Sequence, residues 1–212
     1  MAVNVDTGSL IHHDSRIIVL NKPSGLLSVP GKGPLLKDCL ASRVQKKHPT
    51  ALIVHRLDRD TSGLIVMALD AQAQRSLSCQ FENRTVQKRY ECIVDGHPES
   101  DDGMIDLPIA RDPLRPPRYR IHNLLGRPSQ TRWEVLERYT DSTRIAAMPI
   151  TGRSHQIRLH LASLGHAILG DPLYAHTTAQ TAANRLLLHA TFLQVQHPDD
   201  GKQIAWHLPC PF

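Results

Sequence analysis

No segment of this sequence approaches the ~18 apolar residues of a membrane-spanning helix. Near the N-terminus, Asp6, His12, His13 and Asp14 interrupt the apolar residues before a secretory leader could build its core, so the cytoplasm is the expected location and no membrane is an expected partner. Cysteine is sparse and scattered. Cys39, Cys79, Cys92 and Cys210 form no C-x-x-C pair, which argues against zinc, dithiol chemistry and a compact disulfide framework, and all four read as reduced thiols. His155 and His160 stand five residues apart, not the four that aligns zinc ligands on a helix, and Gly31-Lys32-Gly33 is too short for a phosphate loop. Neither a metal nor a cofactor is expected.

What is present is the composition of an ordinary globular protein: of 212 residues, 41% are hydrophobic and 21% charged. The net charge of +5 and a pI of about 9.2 favour a polyanionic partner. The distribution says more than the total. Arg111, Arg115, Arg118, Arg120, Arg127 and Arg132 fall in one Pro-rich stretch relieved only by Asp112. A solvated loop accounts for that stretch as well as a nucleic-acid surface does.

Along the chain, Ile17 to Leu20 reads as a strand, Asn21-Lys22-Pro23-Ser24-Gly25 as a turn, and Leu26 to Val29 as a second strand. Asp38 is a good cap for a helix carrying Leu40 and Val44, and Leu52 to Val54 and Leu64 to Leu69 are buried strands. Asp70 caps a helix with Ala73, Leu77 and Phe81 on one face. Further strands are expected at 89–94, 118–122, 131–138, 143–150, 186–195 and 204–207, with a helix from an N-cap at Ser154 to a C′ residue at Gly165. Strands interrupted by a few helices predict an α+β fold with a mainly antiparallel sheet. Residues 95–102 and 111–117 are the expected mobile loops.

The polar block His55-Arg56-Leu57-Asp58-Arg59-Asp60-Thr61-Ser62-Gly63 lies between two apolar runs, where polar groups need partners. Thr61, Ser62 and Gly63 suit a tight turn. On an extended segment Arg56, Asp58 and Asp60 would point to one side. By spacing alone, an aspartate flanked by arginines reads either as a structural ion pair or as a poised carboxylate.

The order of the motifs adds a resemblance. His55-Arg56-Leu57-Asp58-x-x-Thr61-Ser62-Gly63-Leu64 resembles the catalytic motif of the RluA family of pseudouridine synthases. Asn21-Lys22-Pro23-Ser24-Gly25 is similar to the segment near the start of the same catalytic domain, Lys88-Arg89-Tyr90 to its tyrosine motif, and Thr151-Gly152-Arg153-Ser154-His155-Gln156-Ile157-Arg158 to its third motif. The resemblance runs from about residue 16 to the end. It implies a catalytic domain over 16–212 after an N-terminal extension, 1–15, too short for the S4-like RNA-binding domain of many relatives.

The resemblance further implies the pseudouridine synthase catalytic fold, a mainly antiparallel mixed sheet flanked by a few helices and loops with a central active-site cleft. Asp58 would be the essential carboxylate, Tyr90 the aromatic against the target uracil and Arg158 the cation that pairs with the catalytic aspartate. Arg56 would fill the space left by the flipped base. Leu57 and Ile157 would pack beside the site, and Lys22, His55, Arg118 and Arg153 would contact substrate RNA. The implied activity isomerises uridine in stem-loops, in a tRNA anticodon loop and a 23S ribosomal RNA hairpin, by base flipping, without cofactor or metal and as a monomer. Two other readings start from the same residues: a non-catalytic RNA-binding protein using the arginine-rich stretch, and a glycoside-type hydrolase using Asp58 and Asp60, which stand too close in sequence for the ~5–9.5 Å carboxylate pair of such enzymes.

Overall fold

The computed structural model describes residues 8–31, 33 and 36–212. The first seven residues of the expected N-terminal extension, including Asp6, and Lys32 of the Gly31-Lys32-Gly33 run lie outside them. In chain order the elements are β1 (Ser9–His13), β2 (Ile17–Lys22), α1 (Leu40–Gln45), β3 (Leu52–Ile53), β4 (Ser62–Ala68), α2 (Ala71–Glu82), β5 (Gln87–Asp95), β6 (Asp102–Asp106), β7 (Ile109–Arg111), β8 (Tyr119–Ile121), β9 (Gln130–Arg138), β10 (Ser142–Pro149), α3 (Gln156–Ser163), α4 (Thr177–Thr181), β11 (Leu188–Gln196) and β12 (Gln203–His207). Two compact units result, one running to Lys88 and taking up His189–Pro211, the other comprising Arg89–Leu188 with Phe212. No described helix is long and apolar enough to cross a membrane.

In the first unit β4 is central, and all its residues are buried. β2 pairs antiparallel with it from Ile17↔Ala68 to Lys22↔Gly63, and β1 continues beyond β2. The opposite edge is shared. β11 runs parallel at His189↔Ser62 and Ala190↔Gly63, β3 takes the far end, and β12 folds back on β11. α2 is capped by Asp70, whose carboxylate accepts the Gln72 and Ala73 N–H groups, as expected. Its inward face carries Ala73, Leu77 and Gln80. The buried Gln80 amide donates to the Gln196 carbonyl at 2.8 Å and accepts the Gln196 N–H at 2.7 Å, tying helix to strand.

Two expectations fail here. Residues 26–29 form no strand, because their carbonyls are already taken: Leu27 and Ser28 accept the Leu40 and Ala41 N–H groups at the start of α1, and Leu26 accepts from Lys22. The cap of α1 is Cys39, which exchanges hydrogen bonds with Ser42, while Asp38 pairs with Arg43 instead.

The second unit is an antiparallel sheet in the order β5-β10-β9-β6, with the β7–β8 hairpin separate. Cys92, Val94, Trp133, Ile145, Ile157, Leu161, Ile168 and Leu186 form its core. β6 was unexpected, since Asp102-Gly103-Met104-Ile105-Asp106 buries one residue, Ile105, at the sheet edge. β7 and α4 were also unexpected. Helix α3 begins one residue later than predicted, at an N-cap formed by His155 in left-handed conformation (φ 57°) with no side-chain cap, so Ser154 is not the cap. The architecture is α+β with mostly antiparallel strands and few helices, as expected.

Candidate active site

Residues 54–61 form an irregular connection from β3 to β4. Leu57 turns inward at 5% exposure, Arg56 is exposed, and Asp58 and Asp60 are half-buried. A loop without a ladder must find partners for its backbone elsewhere. Segment 22–28 supplies them. Ser28 Oγ accepts the Leu57 N–H at 3.1 Å and donates to the Leu57 carbonyl at 2.7 Å. Ser24 Oγ donates to the Asp60 carbonyl at 2.7 Å. The Gly25 N–H donates to the Arg59 carbonyl at 2.9 Å, and Arg59 Nε returns to the Gly25 carbonyl at 3.1 Å.

Lys22 completes this cradle and takes a different role from the one expected. Its side chain has no exposure, and Nζ donates to the carbonyls of Pro23 (2.9 Å), Leu26 (2.7 Å) and Arg59 (3.0 Å). A lysine so enclosed braces the loop and does not reach RNA. The consequence falls on Asp58: the residues on either side of it are pinned through their carbonyls, and Asp58 itself is half-buried.

His55 also proves structural. Its ring stacks on Phe81 (centroids 4.4 Å, 17°), and Nε2 accepts the Val66 N–H at 3.1 Å. Burial, reinforced by the charge of Lys88, pushes its pKa down to about 3, so the ring is neutral with its proton on Nδ1. Ser62 and Gly63 are not a turn but the first residues of β4. Ser62 Oγ meets His189 Nδ1 at 2.7 Å. Gly63 has φ +111°, and a Cβ there would lie 2.4–2.8 Å from the Ala190 backbone, so glycine is what lets the two strands approach.

The second unit holds the other candidates. Arg158, in the first turn of α3, is 2% exposed and makes a two-pronged pair with Asp171 (Nε to Oδ2 2.7 Å, Nη2 to Oδ1 2.6 Å). The guanidinium also lies 5.3 Å from the centroid of the Tyr174 ring. Arg158 is therefore a buried, paired residue and not a surface arginine of the helix. Asp171 further accepts the Leu173 and Tyr174 N–H groups. The hydroxyl of Tyr174 meets His155 Nδ1 at 2.8 Å and accepts the Tyr119 N–H at 2.9 Å.

Asp171 and Tyr174 were missed by the sequence reading, because an aspartate between Gly170 and Pro172 looks like a turn former and nothing local points to Arg158. Gln156 is a buried connector: its Oε1 accepts from Thr151 Oγ1 and the Arg153 N–H, and its Nε2 donates to the Gln130 carbonyl and Thr131 Oγ1. The Arg153 N–H is thus occupied within the fold, and Arg153 Nε reaches the Pro128 carbonyl at 3.4 Å. Tyr90 is half-buried against the core cluster that includes Ile157. Arg118 is half-buried at the foot of β8.

A half-buried aspartate on a loop with a fixed backbone, two residues after an exposed arginine, is suited to act on a substrate that approaches from solvent, whereas the guanidinium of Arg158 is buried and paired with Asp171. Among the described residues, no three His, Cys, Asp or Glu side chains gather as a metal site. Comparison with known proteins gives this geometry its class. The family model described as RNA pseudouridylate synthase matches residues 16–163, and the chain belongs to that family.

Within the family it is of the RluA type, an isomerase. It is 46% identical over 204 residues, 96% of this chain and 93% of the other, to the dual-specificity RNA pseudouridine synthase RluA of Escherichia coli (strain K12). With the protein of the same name from Yersinia pestis, identity is 47% over 202 residues, 95% and 97% of the two chains. Among solved structures, human RNA pseudouridylate synthase domain containing 1 superposes with a TM-score of 0.83 at 27% identity, covering 100% of this chain and 87% of that one. The human domain containing 4 protein has the same fold, with a TM-score of 0.73 at 24% identity, covering 95% and 88%.

Proposed function

We propose that this enzyme isomerises uridine to pseudouridine in RNA stem-loops, in a tRNA anticodon loop and in a 23S ribosomal RNA hairpin, with Asp58 as the essential carboxylate. The observation that carries this is the loop around Asp58, whose backbone is fixed at Leu57, Arg59 and Asp60 by segment 22–28 and which keeps Asp58 half-buried. The reaction breaks the C1′–N1 bond, turns the uracil and joins C5 to C1′, and the C5 proton is exchanged for one on nitrogen. No atom is added and no electron is transferred, so a nucleophilic or basic carboxylate and a pocket that retains the base suffice.

The remaining roles follow the family resemblance. Arg56, exposed two residues before Asp58, fills the stack after the uridine flips out, a step that costs a few kcal/mol. Tyr90 offers its ring to the uracil. Arg158, held by Asp171, is the cation assigned to the catalytic carboxylate. Leu57 and Ile157 pack beside the reacting base, and Arg118 and Arg153 take RNA phosphates. The protein works as a monomer in the cytoplasm.

The test is incubation with synthetic anticodon and 23S hairpin stem-loops, followed by pseudouridine mapping. Wild type modifies one uridine in each, and Asp58→Asn makes no product while still binding RNA. Product from Asp58→Asn at the normal rate, or release of free uracil by the wild type, defeats the assignment.

A further inference from the structure

The chain from Ile109 to Arg127 is an arm built on the β7–β8 hairpin, and it concentrates charge. It carries five arginines and one aspartate, a net +4 where the whole chain carries +5. Asp112 adds little negative surface, being 2% exposed and bonded to Arg115 Nε (3.0 Å) and the Leu114 N–H (3.1 Å). At one end of this arm stand two adjacent leucines in water, Leu124 at 90% and Leu125 at 73% exposure.

Their exposure does not come from a loose chain. The His122 N–H donates to the Pro108 carbonyl (3.0 Å), the Gly126 N–H to the His122 carbonyl (2.8 Å) and the Leu125 N–H to His122 Nδ1 (3.3 Å). Ile109 and Arg127 then exchange both backbone bonds at 3.0 and 2.9 Å. A Cβ at Gly126 would come within 2.4 Å of the His122 carbonyl oxygen and 2.7 Å of the Pro108 carbonyl carbon, so the turn closes tightly because that residue is glycine. The arm is in turn fixed through the Tyr119 N–H to the hydroxyl of Tyr174. The turn is therefore a rigid mount that presents two apolar side chains at one end of an arm whose arginines run from Arg127 beside it to Arg111, Arg115 and Arg118 toward the hairpin tip.

Resting on the function proposed above, we propose that the Leu124–Leu125 turn is an RNA-docking wedge: the leucines pack on the face of an unpaired nucleobase of the substrate stem-loop, while the arginines of the arm hold phosphates of the same RNA. An apolar protein surface would call for further apolar side chains, whereas the arm that carries these leucines is net positive. A polyanion whose apolar faces are unstacked bases satisfies both features.

The test compares wild type with Leu124→Ser/Leu125→Ser, a change at exposed positions whose folding is checked by Tm. Filter binding and turnover are measured on the same stem-loops. The wedge predicts that the variant binds RNA roughly five- to a hundredfold more weakly, the range of losing one base contact, with kcat within about twofold of wild type and the same dependence of binding on salt. Leu124→Met/Leu125→Met restores binding. Unchanged RNA affinity overturns the wedge, and so does a variant that loses binding to polyglutamate but not to RNA, which points to an acidic protein partner. Because binding is read apart from turnover, a wild type that binds RNA but makes no pseudouridine defeats the proposed function and leaves this comparison decisive.

Discussion

Lys22 and His55 were expected to contact RNA, yet both side chains are engaged within the fold, and each has a consequence that can be measured. Replacing Lys22 by Met leaves the carbonyls of Pro23, Leu26 and Arg59 without their ammonium donor. An unsatisfied buried acceptor costs about 1–3 kcal/mol, so urea unfolding of Lys22→Met is expected to lose about 3 kcal/mol or more, with kcat falling because Arg59 is the neighbour of Asp58. A full-activity, full-stability Lys22→Met protein contradicts the cradle. For His55, whose pKa is held at about 3 in the fold against an ordinary 6.5, the unfolded chain binds a proton between those values that the folded protein does not. Stability therefore rises with pH across that window and is lost on acidification from 6.5 toward 3. Burial lowers His160 and His48 as well, adding to the same slope. Asp14 acts lower. Burial alone would raise it, but hydrogen bonds from His12, the Arg16 and Ile17 N–H groups and His197 outweigh that and hold it at about 2, so its contribution fades only below 3.8. Denaturant titrations of His55→Phe, which keeps a ring to stack on Phe81, are expected to have a shallower slope between pH 4 and 6.5 than wild type.

Among the elements, those with a strong apolar run or period were legible: β2, β4, α2, β5, β9, β10, β11 and β12 lie where the pattern of Ile17–Leu20, Leu64–Leu69, Ala73/Leu77 and the later runs put them. What escaped was decided by partners distant in sequence. Residues 26–29 have a strand's composition, but α1 and Lys22 take their carbonyls. β6 has a loop's composition but pairs with β9 along its whole length. The Asp58 loop was legible as a candidate site from its polar residues, whereas its scaffold was not, since nothing local says that the lysine of Asn21-Lys22-Pro23 points at Arg59. Gly63 shows the same limit: a glycine after Thr61-Ser62 reads as a turn former, and it is the approach of Ala190 that gives it its role. Gly63→Ala would drive a Cβ into backbone atoms that cannot rotate away, at a φ unfavourable for any other residue. A loss of about 3 kcal/mol or more is expected, read as a drop in Tm together with faster amide exchange along β4 and β11. A Tm equal to wild type would mean that β4 and β11 can separate at Gly63 and Ala190 without cost.

For the whole molecule, a net charge of +5 is too weak a signal to name a partner, since many basic proteins bind no nucleic acid. Its concentration between Ile109 and Arg127 is what gives it meaning, because clustered arginines displace counterions from neighbouring phosphates together. If the four arginines of the arm other than Arg115 each neutralise one phosphate of a looped RNA, log affinity should fall against log salt with a slope of about −3, at about 0.7 per contact. Arg111→Gln/Arg127→Gln should reduce the steepness by about 1.4 on the same scale. Asp58→Asn should not flatten it, since the substitution removes a negative charge and no phosphate contact. These two variants separate the roles of charge: one changes how strongly RNA is held without touching the chemistry, and the other stops the chemistry while RNA is still held. An Arg111→Gln/Arg127→Gln protein with the wild-type slope would put the electrostatic footprint elsewhere on the molecule, and the arm would then be the solvated loop that its proline content first suggested.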